Sequence, residues 1–239
     1  SGLTLIPSFQ LDPFQTTTYG TGQLISKAID SGFKDILLTI GGSATIDGGI
    51  GAISALGAKF FNQKGQLISK PFGNKSIAEI YSMDLTDIHK KCKDVKISIA
   101  CDVDNPLLGP NGSAAIFGPQ KIAPKNRSPQ TKLNSLIDQL DRNLAHLSRI
   151  LEKETGKKNI AKWPGSGAAG GFPLSFCSIL DAKMANGSKL VLKLINFDKL
   201  KGADIVITCE GRCDNQTLHG KGPYEVCKMM KGSHIIMLS

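Results

Sequence analysis

The chain has 239 residues, 41% of them hydrophobic and 21% charged, and a net charge of +9. That is the composition of a globular protein with room for one large domain or two smaller ones, and no apolar run is long enough to cross a bilayer. Residues 121–162 carry ten basic side chains against four acidic ones, so the excess charge is a basic helical region with almost no aromatic interleaving, which argues against a nucleic-acid partner.

The N-terminal residues 1–19, with Pro7 and Pro13, read as an extended polar lead-in; no signal peptide is visible. From Thr21 the spacing of Leu24, Ile25, Ala28 and Ile29 predicts a helix that stops at Gly32. A buried parallel strand over 35–40 follows. It runs into Gly41-Gly42-Ser43-Ala44-Thr45-Ile46-Asp47-Gly48-Gly49, then a small-residue helix through Ile50, Ile53 and Leu56. Lacking Cβ atoms, such a loop can bring backbone N–H groups to an anion, or its glycines can serve only tight packing.

Lys64-Gly65 marks a hairpin between Phe60-Phe61 and Leu67-Ile68, while residues 74–92 carry no clear pattern. A second strand over 95–101 ends in Asp102-Val103-Asp104-Asn105-Pro106. The longest helix is expected over 129–153, where Leu133, Ile137, Leu140, Leu144, Leu147 and Leu151 are spaced three and four apart. His146 beside that stripe reads as a boundary residue. Gly165, Gly167 and Gly170 spell G-x-G-x-x-G without a strand before them, so a glycine-rich helix start lining a pocket is favoured over a dinucleotide site.

A third strand over 203–209 leads into Glu210-Gly211-Arg212-Cys213-Asp214-Asn215-Gln216-Thr217-Leu218-His219-Gly220-Lys221, then a short helix through Val226, Met229 and Met230 and a final core strand over 235–239. That terminal strand and the missing starting Met are read as signs of a piece of a longer protein. Cys92, Cys101, Cys177, Cys209, Cys213 and Cys227 lack zinc spacing and read as reduced thiols of a cytoplasmic protein.

Three strands thus end in acidic, glycine-rich loops, and ligands of open α/β sheets bind beyond strand carboxyl ends. Were Asp47, Asp102, Asp104, Glu210 and Asp214 to gather there, they would need a cation, Mg²⁺ being the natural one. With Arg212 and Lys221 supplying positive charge, the chemistry suggested is phosphoryl transfer. No Walker A or protein-kinase motif is present.

At this point the motifs match a known pattern. Segments 17–25, 40–49, 100–117, 118–121, 164–171 and 210–221 lie in the order found in bacterial-type (class I) glycerate kinases, which the chain closely resembles. Ile46 stands where that family usually has Asn. The family's preceding segment, with its Asp-Ser-Phe-Lys-Gly-Ser motif, and its continuation past the last strand are absent from this sequence. The resemblance implies ATP-dependent phosphorylation of D-glycerate, more often to the 2- than the 3-phosphate, with Mg²⁺, in the cytoplasm. It also implies a two-domain α/β kinase with three-layer parallel or mixed sheets, one domain inserted in a Rossmann-like domain that is only partly present. Residues 1–197 would be mostly the inserted domain and 198–239 the start of the returning half. Glycerate and a nucleotide are the expected partners, with a homo-oligomer as a possibility and neither nucleic acid nor membrane. A non-catalytic sugar-acid or nucleotide sensor is the alternative.

Roles follow as expectations. Asp47 orients or deprotonates the attacking hydroxyl, with Asp214 and Lys221 also catalytic. Gly41, Gly42 and Ser43 offer N–H groups to an anion. Asp102 and Asp104 are metal or substrate residues, and Asp104 with Asn105 either binds or only forms a turn. Glu210 and Arg212 bind substrate or nucleotide, unless Arg212 and Asp214 merely pair; Gln216 and Thr217 bind substrate or cap a helix. Lys121 either serves the nucleotide or is solvated.

Overall fold

The computed structural model describes residues 2–69, 72–211 and 222–239. Helix α1 (Tyr19–Asp30) turns its Ile25 and Ile29 inward and ends where Gly32, at φ 91°, lets Phe33 N–H reach back to the Ala28 carbonyl at 3.1 Å. Strand β1 (Asp35–Thr39) leads through the glycine loop to α2 (Ile50–Ala55), which lies so close to α1 that a side chain at Gly22 would overlap the Ala52 backbone. After β2 (Lys59–Phe61) come α3 (Asn74–Ile77), β3 (Ser82–Asp84), α4 (Thr86–Cys92) and β4 (Lys96–Ala100). Helices α5 (Ser113–Lys121), α6 (Gln130–Thr155) and α7 (Ala168–Ile179) precede β5 (Lys183–Ala185) and α8 (Gly187–Leu194). The chain closes with β6 (Ile205–Cys209), α9 (Gly222–Met229) and β7 (His234–Leu238).

The architecture is mixed α/β with parallel strands. One sheet has the order β1-β4-β5, all parallel, with Leu37 opposite Ser98 and Ala100 opposite Ala185. A second pairs β6 with β7, also parallel, and a third pairs β2 with β3 antiparallel. The expected hairpin turn forms, with Ile68 N–H bonded to the Phe60 carbonyl at 2.8 Å, but β2 makes its regular ladder with β3, inside the stretch that carried no pattern.

Helix α6 is the spine. Leu133, Leu140, Leu144, Leu147 and Leu151 are all buried, and each such side chain removed from water contributes about 1.5–3 kcal/mol. It packs on α3, α5 and α7, and His146 Nε2 donates to the Ile80 carbonyl at 2.7 Å, as a boundary residue should. Two strands depart from the expectation of burial. In β1 exposure alternates, Leu37 being 40% exposed, and in β7 Ile236, Met237 and Leu238 face outward. Among the described residues no helix is long and apolar enough to cross a membrane.

Candidate functional site

The loop after β1 divides into two halves with different tasks. Gly48 and Gly49, at φ 63° and 83°, turn inward against Gly170 and Gly171, at φ 78° and 84°. A Cβ on Gly170 would overlap the Thr45 carbonyl, and one on Gly49 would stand 2.8 Å from the Phe172 carbonyl. The two glycine runs therefore lie main chain against main chain, joined by Gly48 N–H to the Gly170 carbonyl at 3.0 Å and by Ser175 Oγ to the Gly48 carbonyl at 2.6 Å. The G-x-G-x-x-G run follows a short 3₁₀ turn (Ile160–Lys162) and not a strand; its last glycine packs on the loop.

The front half is open. A Cβ on Gly41 or Gly42 would meet nothing within 4 Å, and no described residue accepts from either N–H. These two glycines, Ser43, Asp102, Phe117 and Lys121 face one cavity of about 350 Å³. It lies beyond the carboxyl ends of β1 and β4, where an open parallel sheet binds its ligands.

Asp47 does not face that cavity. It is fully buried, and Oδ2 accepts from Thr18 N at 2.8 Å, Thr18 Oγ1 at 2.7 Å and Gly51 N at 3.4 Å, while Oδ1 accepts from Gly49 N at 3.1 Å. Thr18 Oγ1 in turn accepts from Ala52 N at 2.9 Å. The carboxylate thus ties the start of α1 to the start of α2 and fixes the back of the loop. Burial pushes its pKa up against the pull of those hydrogen bonds. In this arrangement Asp47, expected from sequence to orient or deprotonate the hydroxyl, holds Thr18, Gly49 and Gly51 in place.

Lys121, offered by the sequence as nucleotide-binding or solvated, is only 2% exposed. Its Nζ donates to Ser43 Oγ at 2.8 Å and to the Thr45 carbonyl at 2.9 Å, and burial pulls its pKa down to about 7.

The second wall is the loop after β4. Asp102 accepts from Ser188 N at 3.1 Å and Ser188 Oγ at 3.3 Å, at the first turn of α8. Asp104 is exposed, and Asn105 Nδ2 donates to the Asn111 carbonyl at 2.9 Å, so that side chain holds its own loop. Cys101 also lines the cavity, with burial raising its thiol pKa away from a reactive thiolate. A neighbouring cavity of about 400 Å³ runs from Gly41 and Asp102 to Ser188 and to Val226 of α9.

Glu210 ends β6, its N–H bonded to the Leu238 carbonyl at 3.0 Å. Arg212, Asp214, Gln216, Thr217 and Lys221, together with Cys213 and His219, lie outside the described residues. Among the described residues no three His, Cys, Asp or Glu side chains come together, so the gathering of carboxylates considered from sequence does not form there. The reason is local: Asp47 is turned inward to Thr18, and Asp102 is tied to α8. Two residues that sequence reasoning missed, Thr18 and Ser188, make these ties; Thr18 lies in one of the matched segments, whereas nothing near Ser188 signals its partner.

A model of the glycerate kinase family matches residues 1–239. The chain belongs to the glycerate kinase family. A glycerate kinase of Halalkalibacterium halodurans is 44% identical over 97% of the chain, and a glycerate 2-kinase of Escherichia coli is 40% identical over 98%. A crystallised protein from Salmonella typhimurium LT2, provisionally named glycerate kinase 2, superposes with a TM-score of 0.81 at 36% identity, covering 99% of this chain and 61% of its own. The chain spans 58% of the length of the two curated glycerate kinases. Family membership accounts for the order of the matched motifs, and the geometry above says what the family's glycine loop does in this chain: it opens at the front and locks at the back.

Proposed function

We propose that the protein transfers a phosphoryl group from ATP to D-glycerate, giving 2-phosphoglycerate with the help of Mg²⁺. The observation that carries the reading is the open front of the loop after β1, in a chain of the glycerate kinase family. Gly41 and Gly42, whose N–H groups no described residue accepts from, line one cavity with Ser43 and a buried lysine, a set suited to a carboxylate or phosphoryl oxygen. The name of the Escherichia coli relative, glycerate 2-kinase, favours the 2-phosphate.

Phosphoryl transfer asks a protein mainly to position its reactants and to neutralise charge. Gly41, Gly42 and Ser43 receive an anionic oxygen. Mg²⁺ commonly takes one or two carboxylates besides substrate phosphates, and the exposed carboxylates of Asp102 and Asp104 fit that demand. When bound it would neutralise charge on the transferred group. Asp47 acts as a positioning residue, holding the loop from behind. Sequence grounds alone support Asp214 and Lys221 in the chemistry and Glu210, Arg212, Gln216 and Thr217 in binding. Residues 1–197 would belong mostly to an inserted domain, and 198–239 would begin the return of a Rossmann-like one.

The test is a coupled assay for ADP on the full-length protein with ATP, Mg²⁺ and D-glycerate. Glycerate-dependent ADP release is expected, and Asp102→Ala should cut it at least tenfold while the unfolding midpoint stays near that of the parent. Binding of glycerate without any ADP would favour a non-catalytic sensor; neither binding nor ADP would sink the reading.

A further inference from the structure

We infer that Lys121 is an anion-binding residue: its ammonium bridges Ser43 and Thr45 and takes the oxyanion that enters beside Gly41 and Gly42. The identity of that anion rests on the kinase reading; the site itself does not.

Lys121 is the last residue of α5, where the helix carbonyls favour a cation. An ammonium has three donors, and two are used, on Ser43 Oγ at 2.8 Å and the Thr45 carbonyl at 2.9 Å. Among the described residues no carboxylate lies within ion-pair distance of it. A lysine buried to 2% exposure without a counter-ion is a costly arrangement, and burial drives its pKa down to about 7.

The charged and titratable groups around it are few. Asp47 acts on it from behind the loop, Asp102 lies in the cavity wall and is engaged by Ser188, and Cys101 carries a thiol held in its neutral form. Ala168 and Ala169 of α7 and Phe117 and Gln120 of α5 complete the wall without charge. The cavity therefore offers an anion two glycines whose N–H groups have no acceptor among the described residues, a hydroxyl, and an ammonium with two of its three donors engaged by described residues. An oxyanion there supplies the missing counter-charge and keeps Lys121 protonated. The shared chemistry is a small oxyanion, either the carboxylate of glycerate or a phosphoryl group of the nucleotide.

The experiment uses the full-length protein labelled with ¹³C at lysine Cε, the Lys121 signal being identified by its loss in Lys121→Arg. Its midpoint is followed with pH in sodium chloride, and at equal ionic strength in sodium sulfate, D-glycerate or MgATP. A midpoint near 7 in chloride is expected, rising by about one unit or more when an anion binds. A rise with sulfate and glycerate identifies a carboxylate site; a rise with sulfate and MgATP identifies a phosphoryl site. A rise with sulfate alone upholds the anion site while the glycerate kinase reading fails. An ordinary lysine midpoint in chloride, or no rise beyond chloride with any of the three, overturns the inference.

Discussion

Inside the loop after β1 a carboxylate and an ammonium are both buried, and burial works against the charge of each. The consequences for stability have opposite signs. Lys121 has a folded pKa of about 7 against an ordinary 10.5. Between those values the unfolded chain binds more protons, so stability rises with pH through that window and is flat below it. Asp47, raised above 3.8 in the folded state, makes stability fall as pH climbs from 3.8 through its raised value. Unfolding free energies from denaturant titrations between pH 6 and 10 should therefore rise more steeply for the parent than for Lys121→Met, by up to about 1.4 kcal/mol per pH unit. The glycines give a matched pair. Gly170→Ala adds an overlap with the Thr45 carbonyl at a φ of 78° and should cost more than about 3 kcal/mol in chemical unfolding. Gly41→Ala meets nothing within 4 Å, so its unfolding midpoint should hold, while glycerate-dependent ADP release falls because a methyl group stands at the anion's entrance.

At the scale of elements, α6 both carries the core and supports the loop. A Cβ on Gly48 would overlap Leu147 Cδ2, and Leu144 Cδ2 lies 3.5 Å from where a Cβ of Gly48 or Gly171 would stand, so both leucines of α6 pack against those glycines. Leu144→Ala should cost about 2–5 kcal/mol in denaturant unfolding. It should also weaken anion binding, since the back of the loop loses its support. This helix was the most legible element: leucines three and four apart predicted 129–153, and the helix runs over Gln130–Thr155. Of helix α7 only the glycine-rich start was legible, and strand β5 was not. Eleven of the twelve α7 residues are buried, so no polar face marks a period. Strand β5 is only Lys183-Met184-Ala185, too short to alternate. The open placement of Gly41 and Gly42 at a cavity could be read from their position after a strand. The inward turn of Asp47 could not, because Thr18 is remote in sequence and becomes its partner only through the packing of α1 on α2.

At the scale of the molecule, the β6–β7 sheet is thinly covered by the described residues: Ile207 is 65% exposed and Ile205 and Leu238 are more than half exposed. Contiguous apolar surface of this kind drives association. Sedimentation of this chain should show concentration-dependent self-association that Ile207→Lys reduces, with the unfolding midpoint nearly unchanged because no buried contact is lost.

The bonds that shape the loop after β1 also set an order in time. Thr18 and Asp47 are separated by 29 residues, Lys121 and Thr45 by 76, and Ser175 and Gly48 by 127. A ribosome adds about 5–20 residues each second. The brace behind the loop can thus close early in synthesis, the lysine bridge seconds later, and the glycine seam only after residue 175 has emerged. Until then the back of the loop is held by the brace alone, without its seam to α7. The complete loop is therefore a late-appearing property of the nascent chain, arriving with α7 and not with its own glycines.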